Sequence, residues 1–121
     1  MQSYRDLIVW QKADELAFQI YKVTEHFPKT ETFGIMSQLR RAALSVPTNI
    51  VEGHGRASKK EFAHFLDISI GSLAETEYLL YFAKRLGYPN PADTAISQLL
   101  TETQKLLWSF KKALKRGRAV C

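Results

Sequence analysis

One period runs through this chain from end to end, and it is helical. Between Ile96 and Leu114 the apolar residues Ile96, Leu99, Leu100, Leu106, Leu107, Phe110 and Leu114 fall on one helical stripe. Three earlier segments repeat the pattern. Residues 6–27 carry Ile8, Val9, Ala13, Leu16, Ala17, Ile20 and Phe27. Residues 32–52 carry Phe33, Met36, Leu39, Ala43, Val46 and Ile50. Residues 58–86 carry Phe62, Phe65, Leu66, Leu73 and Leu80. No hairpin signal, internal repeat, low-complexity tract or linker interrupts them.

The punctuation fits four rods. Pro28 ends the first segment, and Thr30 or Thr32 is placed to cap the second. Pro47 should kink the second, because it removes an amide donor and crowds the preceding turn. Gly53 and Gly55 permit a left-handed stop. Ser58-Lys59-Lys60-Glu61 reads as a capping box opening the third helix, which Gly87 terminates. Asn90-Pro91 reads as cap plus first position of a fourth helix, residues 91–116. A striped helix must bury its stripe on another, so the 121 residues form one all-α domain, an antiparallel up-down four-helix bundle.

The third helix does not fit a solitary bundle. Tyr78-Leu79-Leu80-Tyr81-Phe82-Ala83 is apolar all the way round, whereas a bundle shelters one stripe. Tyr78, Tyr81 and Phe82, with Trp108 on the fourth helix, are therefore expected to meet another subunit.

Charge is as uneven as hydropathy. Lys105, Lys111, Lys112, Lys115, Arg116 and Arg118 crowd the last 17 residues with no acid among them. The other 104 residues carry 11 basic and 12 acidic side chains. Such a cationic end is either a polyanion site or a solvated helix terminus that favours cations. A single cysteine, Cys121, offers no internal disulfide. The N-terminus lacks a leader pattern, and no apolar run approaches a membrane span, so a cytoplasmic location is expected.

Few residues suggest chemistry. Arg40, Asn49, Glu52, Arg56, Ser72 and Glu75 form a candidate polar cluster around the joint between helices two and three. It is either a structural clasp, with Glu52 paired to Arg56 or Arg40 and Glu75 to Arg40 or Arg41, or a phosphate site using Arg56. Gly71, inside helix three, suggests a close helix approach. Glu61-x-x-His64 occurs once, where a di-iron bundle needs two such motifs, so no metal and no cofactor is expected. No nucleophile elbow or phosphate loop is present, so no catalytic residue is assigned.

Tyr4-Arg5-Asp6-Leu7-Ile8-Val9-Trp10-Gln11-Lys12-Ala13, the block from Gln38 through Ser45-Val46-Pro47-Thr48-Asn49-Ile50-Val51-Glu52-Gly53, and Phe62-Ala63-His64-Phe65-Leu66 with Gly71-Ser72-Leu73-Ala74-Glu75 resemble a bacterial family of four-helix-bundle proteins. Some members of that family are encoded inside intervening sequences of large-subunit ribosomal RNA genes. More distantly the chain resembles the accessory variability determinant of diversity-generating retroelements, a basic pentamer that works with a reverse transcriptase and nucleic acid. The resemblance implies a homopentameric ring or barrel.

The reading that follows is a non-catalytic homo-oligomer that binds RNA or DNA through basic surfaces. Lys111, Lys112, Lys115, Arg116 and Arg118 would form one patch, and Arg56, Lys59 and Lys60 a second. The alternative is an oligomeric scaffold for a protein partner, with no nucleic-acid role. No membrane contact is expected.

Overall fold

The structure, a computed structural model, describes residues 3–90 and 92–116. Its described residues are helical or irregular, with no strand. After a 3₁₀ turn at Tyr4–Asp6 come four helices: α1 (Ile8–Thr24), α2 (Ile35–His54), α3 (Lys59–Arg85) and α4 (Asp93–Lys115). Each packs on two others, in the cyclic order α1, α2, α3, α4 and back to α1. Cross-helix pairs fix the directions. Gln38, Ser45 and Val46 of α2 meet Glu75, Ser72 and Ser69 of α3 in reverse order. Glu77 and Asp67 of α3 meet Gln104 and Lys111 of α4 in reverse order too.

The core is the set of stripes, with a detail that hydropathy hides. Leu16, Ile20, Leu39, Val46, Ile50, Leu66 and Leu107 lose all contact with water, and so do Thr24, Thr76, Thr103 and Ser69. A buried hydroxyl is costly unless bonded. Three of these donate to their own helix: Thr24 to Ile20 O at 2.8 Å, Thr76 to Ser72 O at 2.8 Å and Thr103 to Leu99 O at 2.7 Å. Ser69 instead crosses to Val46 O of α2 at 2.8 Å.

Helix ends differ from the sequence expectation in instructive ways. α2 begins at Ile35, with no threonine cap. The Glu31 carboxylate accepts from Ile35 N at 3.3 Å instead, placing a negative charge at the helix start. α2 also runs through Pro47 unbroken to His54. Gly55 has φ −78° and is right-handed, so neither Gly53 nor Gly55 is a left-handed stop. Gly53 lies inside α2, tight against α3. A Cβ there would sit 2.6 Å from Phe62 Cδ1 and 2.9 Å from Phe65 Cβ. The close approach expected at Gly71 is absent within the chain: a Cβ there meets nothing within 4 Å.

Ser58 caps α3 by accepting from Glu61 N at 3.1 Å. The far end closes on Gly87 at φ 77°, with Tyr88 N bonded to Ala83 O and Gly87 N to Lys84 O, a Schellman stop. α4 starts at Asp93 after Ala92; Pro91 lies outside the described residues.

Candidate nucleic-acid interface

Because α3 and α4 are antiparallel neighbours, the start of one lies beside the end of the other. That places Lys59 and Lys60 across from Lys115. Together with Ala63 and Leu114 they line a cleft of about 350 Å³. Two patches that lie 55 residues apart in the chain thus become one cationic pole. Lys112, Lys115 and Arg116 are exposed around it. Arg118 lies outside the described residues.

Two expected contributors turn elsewhere. Lys111 forms an ion pair with Asp67 of α3, leaving its side chain only 14% exposed; its Nζ also lies over the Trp108 ring, 5.2 Å from the centroid. It therefore braces α4 on α3 and drops out of the cationic surface. Arg56 pairs with Glu52 at 3.4 Å on the surface and stacks over Phe65 at 4.9 Å. An exposed pair of this spacing contributes only ~0.3–0.5 kcal/mol.

The polar cluster divides into three. Asn49 donates to Ser45 O at 2.8 Å and to Ser45 Oγ at 2.9 Å, and Ser45 Oγ meets Ser72 Oγ at 2.8 Å. This chain of small polar groups ties α2 to α3. Glu75 lies one turn along, accepting from Gln38 at 3.5 Å. Arg40 is not part of it, because it leaves α2 on the opposite side. Its Nε donates to Thr24 Oγ1 at 2.7 Å and its Nη2 to Tyr21 O at 3.0 Å, with the guanidinium 4.7 Å from the Tyr21 centroid. Arg40 thereby holds the last turn of α1, where carbonyls lack helical partners. The expected Arg40 pairings with Glu52 or Glu75 give way to that role.

Beyond the Lys111–Asp67 pair, a second, apolar cleft of about 480 Å³ lies between α3 and α4. Ile70, Ala74, Leu107 and Trp108 line it, with Lys105 and Gln104 at the edge. Trp108 is 51% exposed. On the outer side of α3, Tyr78 and Tyr81 are each 58% exposed and Phe82 is half-buried. Their rings form one patch, with Tyr78 6.5 Å from Tyr81 and 6.2 Å from Phe82, and Arg85 about 6 Å from the last two.

Among the described residues no three His, Cys, Asp or Glu side chains converge as metal ligands would. His54 rests edge-on against Phe62, 6.1 Å between centroids, so its neighbour is a ring rather than a carboxylate. No helix among the described residues is long and apolar enough to cross a membrane.

Residues 5–109 match the family described as 23S rRNA-intervening sequence protein. The chain belongs to the 23S rRNA-intervening sequence protein family. A crystal structure of a protein of unknown function from the S23 ribosomal protein family, from Bacteroides thetaiotaomicron, superposes with a TM-score of 0.75 at 30% identity. The match covers 87% of this chain and 99% of that one. No curated protein matches.

One site in this member of the intervening-sequence family carries no sequence signal. Tyr88, after α3, donates a hydrogen bond to the Glu31 carboxylate and packs on Phe27, 5.2 Å between centroids. The bond to Glu31 is the main reason its phenol titrates above the ordinary value of 10.0, with burial and the Glu31 charge adding to it. Glu31 thus serves both Tyr88 and the start of α2. The partners are 57 residues apart, and no local pattern announces such a tie.

Proposed function

We propose that this chain is a non-catalytic, homo-oligomeric nucleic-acid-binding protein that lays RNA or DNA phosphates on the cationic pole. The observation that carries this reading is the joining of Lys59, Lys60 and Lys115 around one cleft, with Lys112 and Arg116 exposed nearby. Oligomerisation repeats the pole in each copy, five times in the ring that the resemblance implies, and a polyanion that spans copies gains from every one. The family description is consistent with an RNA-related role.

The test is a mobility shift with RNA and with DNA across salt concentration. Binding should weaken linearly in log–log form, by about 0.7–0.9 per phosphate neutralised. Each of Lys60→Gln, Lys112→Gln and Lys115→Gln should reduce that slope by about 1. No detectable affinity at low salt, or slopes indifferent to the three substitutions, would remove the proposal.

A second reading rests on the Tyr78–Tyr81–Phe82 patch, which is apolar, contiguous and uncovered within one chain. Exposed patches of this kind mark protein contacts. The partner proposed is another copy of the chain. A scaffold that recruits a different protein, without nucleic acid, is the alternative. Mass measurement in solution on the full chain and on Tyr78→Ser separates them: the variant should dissociate if copies meet there.

A further inference from the structure

The pole is one end of a longer feature. On α4, Lys105, Trp108, Lys112 and Lys115 follow one another by three, four and three residues, which aligns them along one edge of the helix. Lys115 lines the cleft at the pole, and Lys105 and Trp108 line the second cleft above it. One edge of α4 therefore carries a cation, an aromatic ring, and two further cations down to the pole. Lys105 precedes Trp108 by about 4.5 Å of helix rise and Lys112 follows it by about 6 Å.

The cleft beside the ring is built for something flat and apolar. Its volume, about 480 Å³, lies in the range of small-ligand pockets. Its floor is Ile70, Leu73, Ala74 and Leu107. Small Ala74 leaves the space open. Trp108 is half-exposed, yet not loose, because Lys111 sits over its ring and is itself tied to Asp67. That pair also neutralises Asp67. Glu77 lies further up α3 and accepts from Gln104 at 3.2 Å. Exposed Lys105 and Lys112 flank the ring along α4, which suits an anionic chain bearing aromatic groups rather than an apolar side chain alone.

We propose that the α3–α4 groove takes a single strand of nucleic acid, one base stacking on Trp108 in the apolar cleft while Lys105 and Lys112 hold the flanking phosphates. This rests on the nucleic-acid reading above and adds the strand state. A duplex keeps its bases stacked inside, and extruding one costs a few kcal/mol. A single strand offers its base faces freely, and stacking on an aromatic side chain tolerates any sequence. The groove thus selects single strands over duplexes without reading a sequence.

The experiment uses the full chain carrying Trp10→Phe, so that Trp108 is the only indole. Single-stranded oligothymidylate, its duplex with oligodeoxyadenylate, and inorganic polyphosphate are titrated in turn. The single strand should quench Trp108 emission; the duplex and polyphosphate should bind with salt dependence but leave the emission unchanged. In the natural background, Trp108→Ala should weaken single-strand binding about 5- to 150-fold and leave duplex binding unchanged, while Trp108→Phe should retain part of the affinity. Circular dichroism checks that both variants keep their helices. If the protein binds neither strand form at low salt, the nucleic-acid reading itself fails. If it binds both forms equally, with lysine-dependent slopes and no effect of Trp108→Ala, that reading stands and the stacking proposal is overturned. A fall in particle mass on Trp108→Ala, with strand preference unchanged, also overturns it and assigns the indole to a subunit contact.

Discussion

Replacing Gly53 and Gly71 by alanine, one at a time, should move stability in opposite directions. Both glycines lie inside helices, where alanine is favoured by about 1 kcal/mol. On propensity alone the two substitutions are equivalent. At Gly71 that is the whole account, since a new Cβ meets nothing within 4 Å. Gly71→Ala should stabilise by about 1 kcal/mol, or roughly 3–5 °C in Tm for a chain of this size. At Gly53 the new Cβ would lie 2.6 Å from Phe62 Cδ1 and 2.9 Å from Phe65 Cβ. The second atom is fixed to its backbone, so relief requires α2 and α3 to separate. Overpacking of this kind costs about 1–3 kcal/mol. With two atoms under 3.0 Å the upper half of that range applies, and after the propensity gain the net loss is about 1–2 kcal/mol. Denaturant melts of the two variants at one protein concentration measure the difference directly. A Gly53→Ala protein as stable as the parent would show that α2 and α3 do not approach there, and the placement of the whole α2–α3 face would be wrong. A Gly71→Ala protein that is destabilised while its particle mass falls would place Gly71 in a contact between copies.

Other substitutions probe the remaining joints. Lys111→Gln should cost at most about 1 kcal/mol of stability, since Asp67 is half-exposed, and should leave the salt slope of nucleic-acid binding unchanged where Lys112→Gln lowers it. Ser69→Ala removes a fully buried donor to Val46 O and should cost about 0.5–1.5 kcal/mol in denaturant melts. Tyr88 holds its phenolic proton more tightly folded than unfolded, so its contribution is complete below the ordinary tyrosine value and is lost as pH rises through the higher folded one. Thermal melts from about pH 9 to 11 should fall more steeply for the parent than for Tyr88→Phe; parallel curves would refute the Glu31 bond.

Two local patterns, unlike the expected threonine cap and the Gly53–Gly55 stop, hold in the structure. Ser58 and Glu61 are three residues apart, and their bond forms within one turn. Gly87 needs only its own φ, and it takes the left-handed value. Arg40 illustrates the opposite case. The sequence reading offered it to Glu52 or Glu75, but its side chain leaves α2 toward α1 and meets Thr24 and Tyr21. Helical spacing says which residues share a face and not which helix that face meets. Glu31 and Tyr88 likewise have nothing in common along the chain.

The amino-acid order alone determined that this chain is a set of striped helices, because a helical period and its breakers act over a few residues. It also determined that the last helix ends in surplus positive charge. Packing decided the rest: that Lys59 and Lys60 share a cleft with Lys115, that Lys111 is taken by Asp67, and that the tight glycine is Gly53 and not Gly71. Each of those depends on which pairs of helices face each other and in what register. That choice is made by the summed fit of four stripes, a quantity no single segment contains.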